Sequence, residues 1–311
     1  MNESAHSALL DPDESRRHVR ENLGEELAYL TDLVNYGTHL IVRTLGPAAD
    51  TITKQVVCGA LLKHVVGMLD AAVVLLENGH STHAFPQARS AFEASLYIEF
   101  ILKGQPEHRA QTYLVSDYRA RRAFALSVLD DTNAPGSFNA KFATIGVKTS
   151  DLDPRAKALA RQQITQINDA LRRPPLDHIE RSFQSYANKK RREAAWYQCL
   201  GFASLHQVAK DLDQAAAYSL WYGHGSSVMH ADSFSRQVLT QEDHAVLKPI
   251  RHLEDAHEIC GAVGQIALKT YRVILTYYRP LELPALQQKY LRDWRKTFRS
   301  SKAITYDFRL R

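Results

Sequence analysis

Cysteine is scarce in this chain of 311 residues, and the three present, Cys58, Cys199 and Cys260, are odd in number and far apart. Each sits in an apolar helical stretch, which favours buried free thiols in a reducing compartment over a disulfide framework. Catalytic signatures are equally sparse. There is no Gly-rich phosphate loop, no GxSxG elbow, no HExxH and no paired CxxC. Nucleotide-dependent chemistry, serine hydrolysis and a zinc centre therefore lack support. The chain has 14 His, yet Glu254-Asp255-Ala256-His257 is a single ExxH where a di-iron bundle needs two. His224, His230 and Asp232 share one segment, but other helices would have to complete a cation site, so no metal and no cofactor are expected. The start, MNESAHSALLDPDESRRH, shows no basic stretch followed by an apolar one, so no secretory leader is expected. The most apolar run, Val56–Leu76, is interrupted by Lys63, His64 and Asp70. It reads as a core helix, not a membrane span. A soluble, cytoplasmic protein with no membrane partner is expected.

What the chain has is helical period almost throughout. Residues 13–45 predict one or two helices, with Asp11 or Asp13 as cap and Gly46-Pro47 as terminator. Further helices are predicted near 50–77, 81–103, 106–129, 154–171, 197–210, 213–230, 241–279 and 284–300. Residues 130–153 are polar and turn-rich and read as a long excursion. No alternating run of strand length stands out, although Ala303–Phe308 could form a short extension. The fold class is all-α, an antiparallel helical bundle. It divides into an N-terminal helical segment (1–50), a helical core domain (51–280) and a basic C-terminal helix and tail (281–311). The net charge of +5 comes from that tail: residues 289–311 hold eight Lys or Arg against Asp293 and Asp307.

Residues 196–233 are the most informative stretch. Tyr218-Ser219-Leu220-Trp221-Tyr222 leads into Gly223-His224-Gly225-Ser226-Ser227-Val228-Met229-His230. Two glycines so close cost a helix about 1 kcal/mol each relative to Ala, which suggests that a backbone or ligand approaches closely there. On a regular helical wheel Ser219, Gly223, Ser226, Ser227 and His230 form a lane of small residues ending in an imidazole. His230 is open to two roles, a helix-end packing residue or a general acid–base group. Upstream, Arg89, Glu93 and Tyr97 share one side of an apolar helix. Arg89 and Glu93 are four apart, so they form either a register-fixing ion pair or an anion-holding Arg oriented by its Glu. In the C-terminal helix Tyr290, Trp294 and Phe298 recur every four residues among Arg292, Arg295, Lys296 and Arg299. That spacing favours packing of the aromatic edge on the body. With Arg172-Arg173 and Lys189-Lys190-Arg191-Arg192 the basic surface also keeps nucleic acid in view.

Arg89-x-x-x-Glu93 on an apolar helix, then Trp196 with Gly201-Phe202-Ala203-Ser204-Leu205, then Tyr218-x-x-x-Tyr222 and Ser227-x-x-His230 followed by Ala231-Asp232, resembles the widespread prokaryotic domain-of-unknown-function family 5677. The resemblance covers about 55–235 and implies a helical fold without a settled activity. More distantly, a helix ending in His is similar to the HEPN superfamily of helical nucleases and toxins. That likeness implies RNA cleavage without metal, by an Arg four to six residues before the His. Here those positions are His224, Gly225 and Ser226, so a nuclease would take Arg89 from another helix. On this reading the chain is a HEPN-like bundle that binds or cleaves RNA, in prokaryotic defence. His230 is the acid–base group, Arg89 stabilises phosphate charge, Glu93 orients Arg89, and Tyr222, Ser226, Ser227, Tyr97 and Trp221 line the substrate. RNA and a second copy of the chain are its expected partners. The alternative is a non-enzymatic interaction module in which Arg89, Glu93 and His230 form a buried polar network. Either way, Arg89 and Glu93 are expected to touch the 213–230 helix.

Overall fold

A computed structural model describes residues 11–44, 52–129, 138–146, 154–190, 193–232, 234–241 and 244–300. The chain is all-α and divides into two compact units, 1–103 with 209–311, and 104–208. In the first unit α1 (Pro12–Thr44) starts at Asp11, whose carboxylate accepts the backbone N–H groups of Asp13 and Glu14 at 2.9 Å each. Those bonds hold the Asp11 carboxyl below its ordinary range and make it the helix cap. Val19, Leu23, Leu27, Leu30, Leu33 and Leu40, spaced three, four or seven apart, are buried along one stripe. Opposite that stripe lie α2 (Ile52–Glu77) and α12 (Ala256–Tyr278). By length and composition α2 could cross a membrane, but α1, α3 (Phe85–Lys103) and α12 cover its buried face, as for a core helix. Tyr271 on α12 is fully enclosed, and its hydroxyl donates to the Leu33 carbonyl at 2.9 Å. Burial raises that phenol's pKa far above its usual value.

The C-terminal helix packs by its aromatic edge. It runs as α13 (Leu283–Lys289), a π turn (Tyr290–Trp294) and α14 (Arg295–Ser300). Trp294 is buried, meets Tyr36 edge-on at 5.6 Å, and donates from Nε1 to Asp32 at 2.8 Å. Phe298 lies 6.3 Å from Tyr29. Lys289 is tied to Asp32 at 2.7 Å, which leaves Arg295, Lys296 and Arg299 facing solvent.

In the second unit α4 (Pro106–Leu129) packs on α6 (Pro154–Leu171) and α7 (Pro174–Lys190), with a short α5 (Phe138–Ala143) between α4 and α6 in sequence. The Glu180 side chain is only 7% exposed and receives Arg119 at 2.9 Å and Arg122 at 2.8 Å. Arg119 also reaches Glu193 at 2.8 Å. Tyr113 meets Trp196 edge-on at 5.4 Å.

Three features differ from the sequence expectation. The predicted helix over 241–279 begins only at Ala256. Before it, a short α11 (Phe234–Gln237) leads into β1 (Val238–Gln241), which pairs antiparallel with β2 (His244–Leu247), Val238 opposite Leu247. The Val-Leu-Thr and Ala-Val-Leu runs suit a hairpin, and too few apolar residues follow them at helical spacing to hold a helix on the core. The compact units also cut across the boundaries expected at 50 and 280, because α1, α13 and α14 pack with α12. Of the thiols, Cys58 and Cys260 are buried and Cys199 is only half-buried, and none of the three forms a disulfide. Burial pushes Cys260 up to about 12 and Cys199 up to about 11. The extension expected over Ala303–Phe308 lies outside the described residues.

Candidate functional site

The site forms where α3 crosses the helical run after α8 (Leu205–Asp211). That run consists of α9 (Ala215–Ala217), a π turn (Tyr218–Tyr222) and α10 (Gly223–Met229). A Cβ on Gly225 would fall 2.4 Å from the Arg89 Cβ and 2.8 Å from the Phe85 carbonyl oxygen. Only a residue without a side chain allows so close an approach. A Cβ on Gly223 would meet nothing within 4 Å. The lane expected through Ser219 and Gly223 is thus displaced. Ser219 is exposed and its hydroxyl donates to the Ala215 carbonyl at 3.1 Å, while Gly225 makes the contact. The π turn is the reason, since its extra residue breaks the 3.6-residue phase on which a regular wheel depends.

This crossing sets Tyr222 against Arg89, with the guanidinium carbon 4.1 Å from the ring centroid. Tyr218 stacks on Tyr222 at 4.5 Å with 12° between the rings, so Arg89, Tyr222 and Tyr218 form a layered stack. Arg89 Nη2 lies 4.0 Å from Glu93 Oε2, and Nη1 points at the Met229 sulfur at 3.4 Å. Its Nε is enclosed with no hydrogen-bond partner. Glu93 in turn accepts the Tyr97 hydroxyl at 2.7 Å. The Arg89 and Glu93 side chains are 17% and 29% exposed, neither sealed nor free in water.

Arg89, Glu93, Tyr97 and Tyr222 are therefore brought together on one side of α3. Ser226 is half-buried on α10, and the Ser227 hydroxyl donates to the His224 carbonyl at 2.9 Å. His230 caps α10 through its backbone N–H, which donates to the Ser226 carbonyl at 3.0 Å, and its residue is exposed. Among the described residues no hydrogen bond or ion pair links its ring to Arg89 or Glu93. Trp221 lines a separate cleft with Phe92 and Phe298. Among the described residues no three His, Cys, Asp or Glu side chains gather as a metal-holding group.

A second polar cluster adjoins the crossing and had no local sequence signal. The Arg236 guanidinium lies 4.4 Å over the Phe85 ring, binds Asp255 at 2.5 Å and approaches Glu258 at 3.5 Å. The buried Thr82 hydroxyl donates to the same Asp255 at 2.6 Å and sits 3.2 Å from His252 Nε2. Burial lowers the His252 pKa, so the ring stays neutral in the fold. His224 closes the cluster, its ring T-shaped to that of Phe85 with the centroids 5.9 Å apart. Thr82 and Asp255 are 173 residues apart, and no periodicity reports such a meeting.

Together these features define an all-α protein with a braced guanidinium at a glycine-mediated helix crossing. The chain belongs to the family of unknown function DUF5677, which residues 55–245 match, a span that contains Arg89, Gly225 and His230. No curated protein and no solved structure matches it.

Proposed function

We propose that this protein is a HEPN-like helical protein that binds RNA, with Arg89 as its phosphate contact. The observation that carries the reading is the Arg89 environment. Its plane is braced on Tyr222 and its nearest carboxylate stands off at 4.0 Å, so strong donors of the guanidinium fork remain uncommitted. Stacking pre-organises a guanidinium at low entropic cost, and a fork with spare N–H groups suits a phosphate. Exposed Arg295, Lys296 and Arg299 add sequence-independent attraction for a polyanion. If the bound RNA is cleaved, His230 is the acid–base group, and Arg89 stabilises charge developing on the phosphate. The Gly225 contact with Phe85 and Arg89 favours a second reading, a polar lock that fixes helix packing in a non-enzymatic interaction module.

The test compares wild type with Arg89→Lys and His230→Ala, using single-stranded RNA in EDTA and growth toxicity on expression. On the RNA reading Arg89→Lys keeps the charge but weakens binding about tenfold, while His230→Ala binds normally and loses any cleavage. Deleting the tail would be a poor control because Trp294 is buried, so Arg295, Lys296 and Arg299 are changed to Gln instead. That triple variant flattens the salt dependence of binding. A wild type inert towards RNA at low salt ends this reading and leaves the packing module.

A further inference from the structure

A cleft of about 730 Å³ opens in the first unit between α3, α12 and the C-terminal helices. Its volume falls in the roughly 300–1,000 Å³ range of small-molecule sites. Phe92, Trp221, Ile266, Leu286 and Phe298 supply apolar walls, three of them aromatic and drawn from different helical segments. Its two ionic wall residues are both basic, Lys269 and Arg272. They differ in commitment. Lys269 is paired with Glu99 at 3.2 Å, and Glu99 also accepts the amide of the buried Gln214. Arg272 is exposed at the cleft wall and has no carboxylate partner among the described residues. A concave, aromatic-walled space with one uncompensated guanidinium and no acidic lining residue complements a molecule with an apolar body and an acid group.

We propose that this cleft binds a small amphipathic organic anion, its flat apolar body between the aromatic walls and its acid group on Arg272. This site is independent of the RNA reading, since Arg89 does not line it. Trp221 and Tyr222 are sequence neighbours that serve different sites.

The probe is 8-anilinonaphthalene-1-sulfonate, an aromatic ring system bearing a sulfonate, titrated into the full chain and followed by fluorescence. One saturable site with blue-shifted emission is expected. Arg272→Ala should weaken it about tenfold or more, the value of one charge-assisted hydrogen bond. Arg181→Ala, an exposed charge removed from the second unit, should leave it unchanged. Ala217→Trp should fill the cleft and abolish binding, with circular dichroism confirming that the variant is folded. The uncharged analogue N-phenyl-1-naphthylamine should bind more weakly than the sulfonate. Equal affinity of wild type and Arg272→Ala would overturn the proposal. So would equal affinity for the neutral analogue, several weak sites, or no binding at all. Arg272 is exposed, so its variant decides the matter even if Ala217→Trp does not fold.

Discussion

Gly223 and Gly225 sit two residues apart in the same helix, and replacing each with Ala should move stability in opposite directions. Both substitutions gain helix propensity of about 1 kcal/mol, because Ala restricts the unfolded chain more than Gly does. At Gly223 the new methyl meets nothing within 4 Å, so that gain should appear almost undiminished. At Gly225 the methyl would lie 2.4 Å from the Arg89 Cβ and 2.8 Å from the Phe85 carbonyl oxygen, where carbon contacts settle at about 3.5–4.0 Å. Neither atom is the end of a flexible side chain, so α10 must back away from α3 by roughly 1 Å. Overpacking of this kind costs about 1–3 kcal/mol. The propensity gain is common to both variants and cancels in their difference, which isolates the cost of the crossing. Melting temperatures by circular dichroism should therefore differ by a few degrees, at about 2–4 °C per kcal/mol for a unit of this size. The separation would also carry Tyr222 off the Arg89 guanidinium, so Gly225→Ala, but not Gly223→Ala, should lose RNA affinity. Two variants with the same shift would show that α10 does not approach α3 closely, and the packing argument would fail.

Two further outcomes follow from the charged interior. Glu180→Ala should destabilise the second unit by about 3 kcal/mol, because Arg122 would lose its carboxylate and Arg119 would keep only the exposed Glu193; a urea midpoint near that of wild type would contradict this. His252 has its pKa lowered by burial first and by Lys248 and His83 next, with Asp255 and Glu254 opposing. Above the unfolded value of about 6.5 both states are neutral and its contribution is intact; below it the unfolded chain takes up a proton that the fold resists, so stability falls as pH drops. Melting temperature should therefore decline from about pH 6.5 towards 5, and His252→Gln should flatten that slope; an unchanged slope would place the acid sensitivity elsewhere, for example on His80, which burial also lowers.

Much of this protein was legible in its sequence because helices are specified locally. The apolar stripe of α1, its Asp11 cap, the Arg89–Glu93 spacing and the aromatic edge at Tyr290, Trp294 and Phe298 all depend on neighbours within a turn or two. Such features survive without knowledge of the partner helix, and the structure keeps each of them. The tertiary structure decided what lies across the crossings. A π turn at Tyr218–Tyr222 shifted the helical phase, so Gly225 and not Gly223 meets α3, and Trp221 serves a different cleft from Tyr222. Arg236 and Asp255 met over Phe85 only because α3 and α12 pack side by side. Residues that gather this way are far apart in the chain, and their meeting is set by packing geometry and the satisfaction of buried charge, neither of which has a sequence period.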